Sequence, residues 1–165
     1  MKLRNIIITF FILILIYFII LLWSRTPLIV DDVYDNSCIE IVEKADIVYV
    51  IPFFEGRDIS ENNEWCESMI ELNKTFGLHG ISHEYHEFLG EIEEEELVDA
   101  ISNFEYCFGY KPELFRPPYN KISEENSAIV LSQGIKIYKK PYFLHPYCHC
   151  NPGSWMKLLN WVILC

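Results

Sequence analysis

The sequence predicts an α/β domain built on a mostly parallel β-sheet, either open or closed into a barrel, that follows one transmembrane helix. Three observations support this prediction. The 165 residues suffice for a single domain of ordinary size. The first part of the chain is almost wholly apolar, and strand-length apolar runs alternate with helical patterns over the remainder.

The N-terminal segment is typical of a helix that spans a membrane. Residues 6–23 form an apolar stretch in which three side chains carry a polar group, Thr9, Tyr17 and Trp23. At a rise of about 1.5 Å per residue, the stretch reaches roughly 27 Å, close to the hydrocarbon thickness of a bilayer. A cleaved signal peptide would have a shorter apolar core and a site of small residues. We therefore interpret residues 1–25 as a cytoplasmic N-terminus and an uncleaved signal anchor.

The distribution of charge predicts the orientation of this helix. The chain has 13 Lys and Arg against 24 Asp and Glu, yet Lys2 and Arg4 precede the apolar stretch and no acid does. Because basic residues favour the cytoplasmic side, residues 26–165 are expected on the extracytoplasmic side. Their acidity argues against nucleic acid as a partner, since phosphate binding needs a basic surface. Six cysteines are compatible with an oxidising compartment and with one or two disulfides of unassigned pairing.

Five strand candidates alternate with four helix candidates along residues 26–165. The strands are short apolar runs, whereas the helices show apolar residues at i, i+3 and i+4 or an acid-rich first turn. The strands are expected at 28–30, 47–51, 78–82, 114–115 and 135–138, and the helices at about 37–44, 60–75, 91–108 and 122–133. In such sheets ligands bind at the carboxyl ends of the strands, so polar residues there are candidates for a site.

Polar clusters follow the first, third and fourth predicted strands. They are Asp31-Asp32, the segment from His79 to His83, and Arg116-Pro117-Pro118-Tyr119. Two imidazoles and one carboxylate can hold a divalent metal and leave positions open for water and substrate. A second carboxylate beside the metal can act as a base, and a nearby Arg can orient it and hold its pKa down. A helical metalloprotease motif fits poorly, because glycine follows the first histidine and no Glu lies between the two.

These clusters resemble the first three motifs of the polysaccharide deacetylase superfamily and are closest to an uncharacterised branch of it. The matching stretches, within roughly residues 26–150, are Val30-Asp31-Asp32, His79-Gly80-Ile81-Ser82-His83 with Glu87-Phe88, and Phe115-Arg116-Pro117-Pro118-Tyr119. The branch has an aromatic residue and a Thr where this chain has Ile81 and Ser82, neither of which is a ligand. The resemblance implies that residues 26–165 form a distorted (β/α) barrel of fewer than eight repeats, complete or truncated at the C-terminus.

The resemblance also implies the composition of the site. Three residues would bind a divalent metal, with zinc expected: Asp32, His79 and His83. Asp31 would be the general base, and Arg116 would orient Asp31. Pro118 and Tyr119 would help to form the substrate groove. In the family, water activated by the metal attacks the N-acetyl carbonyl of a sugar, and a late histidine protonates the leaving amine.

Two histidines compete for the role of the late acid. The family places this residue near the end of the domain in a Leu-x-His context, which Phe143-Leu144-His145 matches best, so we assign the role to His145. Tyr147-Cys148-His149 is the competing match, and we interpret His149 as a surface or cysteine-loop residue. A zinc knuckle at Cys148-His149-Cys150 lacks the second pair of ligands that it would need.

The predicted function is the metal-dependent removal of N-acetyl groups from a cell-surface or extracellular carbohydrate, by an enzyme anchored through residues 6–23. The alternative is a catalytically inactive relative that binds a glycan or a protein on the same scaffold, since the chain is short for the family's barrel. A third hypothesis is a small membrane protein whose domain mediates assembly alone. It predicts that changes at Asp32, His79 or His83 leave its interactions unaffected.

Overall fold

The computed structural model describes residues 3–23, 26–35, 37–139 and 147–150. Its helices are α1 (Leu3–Trp23), α2 (Ile39–Val42), α3 (Asn63–Glu71), α4 (Glu94–Phe108) and α5 (Glu124–Ser132). Its strands are β1 (Ile29–Val33), β2 (Ile47–Val50), β3 (Phe53–Phe54), β4 (Arg57–Asp58), β5 (Thr75–Leu78), β6 (Leu114–Phe115), β7 (Lys136–Ile137) and β8 (Tyr147–His149). Single 3-10 turns lie at Ile59–Glu61, Glu87–Leu89 and Pro118–Asn120.

Most of the described strands belong to one parallel sheet. Its order is β7-β6-β5-β2-β1-β8, and every neighbouring pair runs parallel. β3 and β4 form a separate antiparallel hairpin. An α/β fold with a parallel sheet is thus confirmed, whereas closure of the sheet into a barrel stays a prediction. Because the strands share one direction, their carboxyl ends lie along a common edge of the sheet.

The core packs helices α3 and α4 against this sheet. One face of α4 is buried, and it contains the apolar residues whose spacing predicted this helix: Leu97, Ala100, Ile101, Phe104, Cys107 and Phe108. They join strand residues such as Val48 and Leu78 in one buried cluster. A disulfide between Cys66 and Cys107 links α3 to α4. The acid-rich first turn of α4 suits the positive end of the helix dipole.

Strand β5, which corresponds to the third strand that we predicted, lies earlier in the chain than expected. We expected a strand over 78–82, but β5 covers Thr75–Leu78 and ends where the predicted strand begins. Gly80 has a φ of +72°, which is incompatible with a strand, so the chain leaves the sheet after Leu78. The preceding helix is correspondingly shorter than predicted. It ends at Glu71, and Asn73 adopts a left-handed conformation with φ 51° before the strand begins.

Helix α1 contributes no described residue to the core. Its apolar side chains are exposed, and Phe11, Leu13 and Phe18 have exposed fractions of 65%, 60% and 57%. The structure describes the side chains of residues 4–20 of this helix. Over the described residues, no helix is both long enough and apolar enough to cross a membrane.

Candidate metal and catalytic site

The carboxyl edge of the sheet brings the predicted site residues together. Asp31 and Asp32 lie in β1, His79 directly follows β5, and Arg116 directly follows β6. The backbone N–H of His79 donates to the carbonyl of Val50 at 2.7 Å, and that of Arg116 donates to the carbonyl of Leu78 at 2.8 Å. These bonds extend the sheet ladder by one residue. They fix the backbones of His79 and Arg116 against the neighbouring strands.

A local irregularity lets both aspartates of β1 serve one site. In a regular strand, neighbouring side chains point to opposite faces of the sheet. The register of β1 against β2 shifts between Val30 and Val33, and Asp32 has a φ of 61° in the left-handed region. Such a bulge re-aims a side chain at a strand end. Asp32 therefore meets His79, while Asp31 meets Arg116.

Asp32, His79 and His83 form a compact cluster. One ligand atom from each lies within 4.8 Å of the others. Oδ1 of Asp32 is 3.1 Å from Nε2 of His79 and 2.9 Å from Nε2 of His83. Nδ1 of His79 lies 2.8 Å from the carbonyl oxygen of Arg116. A carbonyl can only accept, so Nδ1 carries a proton and donates it, which leaves Nε2 available as a ligand atom.

This cluster fits a divalent cation. With its proton on Nδ1, a neutral His79 directs the lone pair of Nε2 at a carboxylate oxygen of Asp32. Two acceptors then face each other, an arrangement that a cation between them, or a second proton on the ring, makes favourable. One carboxylate and two imidazoles are also a donor set that zinc and similar metals accept. These are the three residues that we assigned to the metal, and their role as ligands remains a prediction.

The electrostatics of the cluster keep Asp32 charged. Burial raises the pKa of Asp32, but its side-chain interactions with His149, His79 and His83 outweigh burial and hold the pKa well below its usual range. Burial lowers the pKa of His83, whereas its hydrogen bond to Asp32 and the charges of Asp32 and Glu87 raise it above its usual value. An ionised carboxylate at this position favours a bound cation.

Asp31 and Arg116 form a buried ion pair beside the cluster. Nε of Arg116 donates to Oδ2 of Asp31 at 2.7 Å, and the two side chains are 1% and 2% exposed. The guanidinium carbon lies 6.0 Å from the ring centroid of Tyr49 and 5.7 Å from that of Tyr138. Oδ1 of Asp31 is buried and has no hydrogen-bond partner among the residues that the structure describes. The geometry suits the predicted roles of base and orienting arginine.

Glu87 holds the loop between the two histidines, a role that we did not assign from the sequence. It accepts hydrogen bonds from the backbone N–H of Ile81 at 3.1 Å and of Ser82 at 2.6 Å, and from the Ser82 hydroxyl at 2.7 Å. A Cβ at Gly80 would lie 2.5 Å from Cγ of Pro118 and would also collide with Oε2 of Glu87. The available signal was the Glu87-Phe88 pair that recurs after the histidine motif in the resembling branch.

His149 lies in the site, so our interpretation of it as a surface or cysteine-loop residue was wrong about its position. It is the last residue of β8, where it pairs with Asp31 of β1. Its Nδ1 is 2.7 Å from Oδ2 of Asp32, and its side chain is 16% exposed. β8 is three residues long and includes a cysteine, so the sequence shows no recognisable strand pattern there. His145, which we assigned as the late acid, lies outside the described residues, and that assignment stays a prediction.

Disulfides hold both neighbours of His149. Cys150 is bonded to Cys38, which precedes α2, and Cys148 is also disulfide-bonded. The backbone N–H of Cys150 donates to the carbonyl of Asp31 at 3.2 Å. The predicted one or two disulfides are therefore too few, since every described cysteine is disulfide-bonded. This cross-linking secures a strand of three residues at the edge of the described sheet.

Pro118 and Tyr119, the predicted groove residues, lie next to the cluster. Pro118 is buried against Gly80, and Tyr119 is 48% exposed. The ring centroid of Tyr119 lies 5.1 Å from that of His83. The Tyr119 ring is therefore a partly exposed surface next to His83, and its role in a substrate groove stays a prediction.

Residues 26–138, more than half of the chain, match a family model described as polysaccharide deacetylase. The chain belongs to the polysaccharide deacetylase family, as its motifs predicted. No curated protein matches the chain in sequence.

Solved structures share the fold at low sequence identity. A peptidoglycan N-acetylglucosamine deacetylase is 16% identical with a TM-score of 0.61, over 86% of this chain and 80% of that one. A family 4 carbohydrate esterase from Streptomyces lividans is 13% identical with a TM-score of 0.60, over 84% and 85%. A pseudoenzyme of the same esterase family from Bacillus anthracis is 15% identical with a TM-score of 0.55. The match covers 85% of this chain and 60% of the pseudoenzyme.

Proposed function

We propose that this chain is a metal-dependent hydrolase that removes N-acetyl groups from a cell-surface or extracellular carbohydrate. The observation that carries this proposal is the cluster of Asp32, His79 and His83 beside the buried pair of Asp31 and Arg116. Membership of the polysaccharide deacetylase family supports the class of reaction. A protein of similar fold is named as a deacetylase of peptidoglycan N-acetylglucosamine, which is a substrate of the proposed kind.

The site residues have different roles in the proposed hydrolysis. Asp32, His79 and His83 would hold the divalent metal, which when bound supplies Lewis-acid polarisation of the acetyl carbonyl and of water. Asp31 accepts a proton from the attacking water at Oδ1, the atom that no described residue contacts by a hydrogen bond. Arg116 donates a hydrogen bond to Oδ2 of Asp31 and so fixes the orientation of the carboxylate.

The leaving nitrogen must gain a proton before it departs as an amine. We retain His145 as a candidate for this step, and the position of His149 makes it the second candidate. Nδ1 of His149 lies 2.7 Å from Oδ2 of Asp32, which places its ring at the cluster.

Metal content and acetate release test the proposal together. The full chain is loaded with zinc, freed of excess metal, and analysed by elemental analysis, and acetate release is then measured with an N-acetylglucosamine hexamer. We expect the parent to bind zinc stoichiometrically and His79→Ala to bind none. Asp31→Asn should keep the metal and lose activity by roughly 10²- to 10⁴-fold, since it removes the base. Asp99→Asn, on the exposed side of α4, is the matched control and should behave as the parent.

The outcomes separate the candidate functions. A parent chain that binds no metal contradicts the proposal. A chain that binds zinc and the hexamer but releases no acetate supports the inactive alternative, which the pseudoenzyme of similar fold illustrates. Acetate release that is unaffected by Asp31→Asn would remove Asp31 from the mechanism.

We also propose that residues 6–23 anchor the chain in a membrane, with the N-terminus cytoplasmic and residues 26–165 on the extracytoplasmic side. The exposed apolar side chains of α1 and the disulfides at Cys38–Cys150 and Cys66–Cys107 support this proposal. The test combines alkaline-carbonate extraction of membranes with protease treatment of intact cells, and a variant without residues 6–23 is the control. Release of the full chain by carbonate would contradict the anchor, and protection from external protease would contradict the orientation.

A further inference from the structure

The turn between helix α3 and strand β5 contains a tripeptide that neither the fold nor the metal cluster explains. It is Asn73-Lys74-Thr75, and Thr75 is the first residue of β5. An asparagine followed two residues later by Ser or Thr, with no Pro between them, is the acceptor pattern for N-linked glycosylation. Asn73 is the one asparagine of the sequence that meets this pattern. Because so short a pattern also arises by chance, its structural setting decides whether a transferase can use it.

The two side chains that the pattern requires are accessible. Asn73 and Thr75 are both exposed. Among the residues that the structure describes, none forms a hydrogen bond with the carboxamide of Asn73. The ammonium group of Lys74 donates to the carbonyl of Glu43 at 2.8 Å, so the middle residue of the pattern is held against the end of α2. A transferase can therefore reach both the carboxamide of Asn73 and the hydroxyl of Thr75.

The backbone places Asn73 at the tip of a tight turn. Its φ is 51°, and its N–H donates to the carbonyl of Ile70 at 3.1 Å, in the last turn of α3. The N–H of Thr75 then donates to the carbonyl of Asp46 at 3.2 Å, where β5 begins to pair with β2. Exposed turn tips are the parts of a folded chain that modifying enzymes reach most readily. The left-handed φ accounts for an asparagine at 73, but it does not require the hydroxyl two residues later.

This turn lies at the opposite edge of the sheet from the metal cluster. Thr75 is the first residue of β5, whereas His79 directly follows its last residue. At about 3.3 Å per residue, the strand places roughly 13 Å between these two positions. Because the neighbouring strands run parallel, the predicted metal ligands lie at the carboxyl edge and Asn73 lies beyond the amino edge. A glycan on Asn73 would therefore leave the approach to the cluster open.

We propose that Asn73 is a site of N-linked glycosylation. The proposal rests on the extracytoplasmic orientation proposed above, and the disulfide between Cys66 of α3 and Cys107 is compatible with that compartment. The donor is an oligosaccharide that is linked to a lipid through pyrophosphate. The carboxamide nitrogen of Asn73 forms a bond to the anomeric carbon of the first sugar and loses a proton to solvent. The bond from that carbon to the phosphate oxygen breaks, and the lipid pyrophosphate leaves with the electron pair.

The test expresses the full chain in a eukaryotic secretory host and purifies it from membranes. We expect the parent to migrate as a heavier species that peptide N-glycosidase converts to the unmodified mass. The enzyme leaves an aspartate in place of Asn73, which mass spectrometry of the peptides locates. Thr75→Val keeps the β-branched shape without the hydroxyl and should lose the glycan, whereas Thr75→Ser keeps a hydroxyl and should retain it.

A second acceptor pattern serves as the control for orientation. Glu93→Asn/Glu95→Thr, introduced into the Thr75→Val chain, creates this pattern on exposed residues at the start of α4. A parent without a glycan, beside a control chain that carries one, would overturn the proposal and leave the orientation intact. A glycan on neither chain would contradict the orientation, and the proposal would fall with it. A glycan that persists in Thr75→Val would also overturn the assignment to Asn73.

Acetate release by the same samples tests the hydrolase separately. A parent that carries the glycan on Asn73 and releases no acetate would support the glycosylation site and contradict the hydrolase. A parent that releases acetate without a glycan would overturn the glycosylation site and leave the hydrolase intact.

Discussion

Arg116 stabilises a carboxylate that lies in the interior of the protein. Asp31 and Arg116 are almost completely buried, and removing two charges from water is costly unless they pair closely. Nε of Arg116 pairs with Asp31 at 2.7 Å, and the flat guanidinium lies near the rings of Tyr49 and Tyr138. Aromatic faces attract a cation that has lost its water. The two charges therefore compensate each other, and loss of either side chain leaves the other charge buried without its partner.

Arg116→Ala should destabilise the fold by about 3–5 kcal/mol, because it leaves Asp31 buried without its partner. The double variant with Asp31→Asn should lose less than the sum of the two single variants, since it no longer buries a charge. The free energy of unfolding from urea titration of the metal-free proteins checks both statements. Strict additivity would show that the two side chains are not coupled.

Asp32 depends on His149 for its orientation. Oδ2 of Asp32 accepts from Nδ1 of His149 at 2.7 Å, while Oδ1 faces His79 and His83. A hydrogen bond of this type fixes the carboxylate that binds a metal. We expect His149→Ala to weaken zinc affinity by about 10- to 100-fold, as measured by competition with a chelator. His86→Ala, whose ring contacts Lys121 instead, is the control and should keep the affinity of the parent.

Comparison of kcat between His145→Ala and His149→Ala identifies the late acid. The residue that protonates the leaving amine should lower kcat by roughly 10²- to 10⁴-fold when removed, at saturating zinc. A large fall in kcat for His145→Ala at unchanged zinc affinity would support our assignment of His145. The same fall in His149→Ala, once zinc is saturating, would transfer the role to His149. Normal kcat in both variants would exclude both histidines.

The loop after β5 positions His79 and His83 through close packing. Gly80 has a φ of +72°, and a Cβ there would lie 2.5 Å from Cγ of Pro118. Gly109 has a similar φ of +75°, but a Cβ added to it would meet no atom within 4 Å. The two glycines therefore share the conformational cost of substitution and differ in the steric cost.

Gly109→Ala should cost about 1–2 kcal/mol of unfolding free energy, which is the cost of the left-handed conformation alone. Gly80→Ala should cost about 1–3 kcal/mol more, because the added methyl group overpacks the loop. Gly80→Ala should also lose zinc affinity, whereas Gly109→Ala should keep it. Thermal unfolding and chelator competition measure the two effects. Equal losses in both variants would show that Pro118 and Glu87 move aside without affecting the histidines.

Local patterns predict strands and helices where the chain is periodic, but they do not show contacts that form at a distance. The buried face of α4 follows from its spacing, and the polar residues after β1, β5 and β6 follow from the alternation of elements. The bulge that re-aims Asp32 depends on pairing with β2, which no local pattern reveals. The position of His149 depends on pairing between β8 and β1, which are separated by more than a hundred residues. Motif resemblance supplied the predicted metal ligands, which periodicity alone did not identify.

The site as a whole is assembled from four distant parts of the chain. Its residues come from β1, from the loop after β5, from the end of β6 and from β8. The sheet order places β8 beside β1, so His149 approaches Asp32 from the edge of the described sheet. A strand of three residues offers few backbone hydrogen bonds, and the disulfide from Cys150 to Cys38 supplies a covalent link. Metal binding and disulfide formation should therefore be coupled.

Variants that lack one disulfide each distinguish an effect on stability from an effect on zinc binding. Cys38–Cys150 joins residues 112 positions apart, and Cys66–Cys107 joins residues 41 positions apart. Replacing either pair by Ser should cost about 2–5 kcal/mol of unfolding free energy, since each cross-link restricts the unfolded chain. Cys38→Ser/Cys150→Ser should in addition weaken zinc affinity, because one of the two cross-links beside His149 is lost. Cys66–Cys107 links α3 to α4 and flanks no residue of the cluster. Cys66→Ser/Cys107→Ser should therefore retain the parent's zinc affinity under conditions where the variant is folded. Circular dichroism establishes that folded state, and chelator competition then measures the affinity. Equal zinc affinity in the two double variants would mean that β8 holds His149 without help from the disulfide.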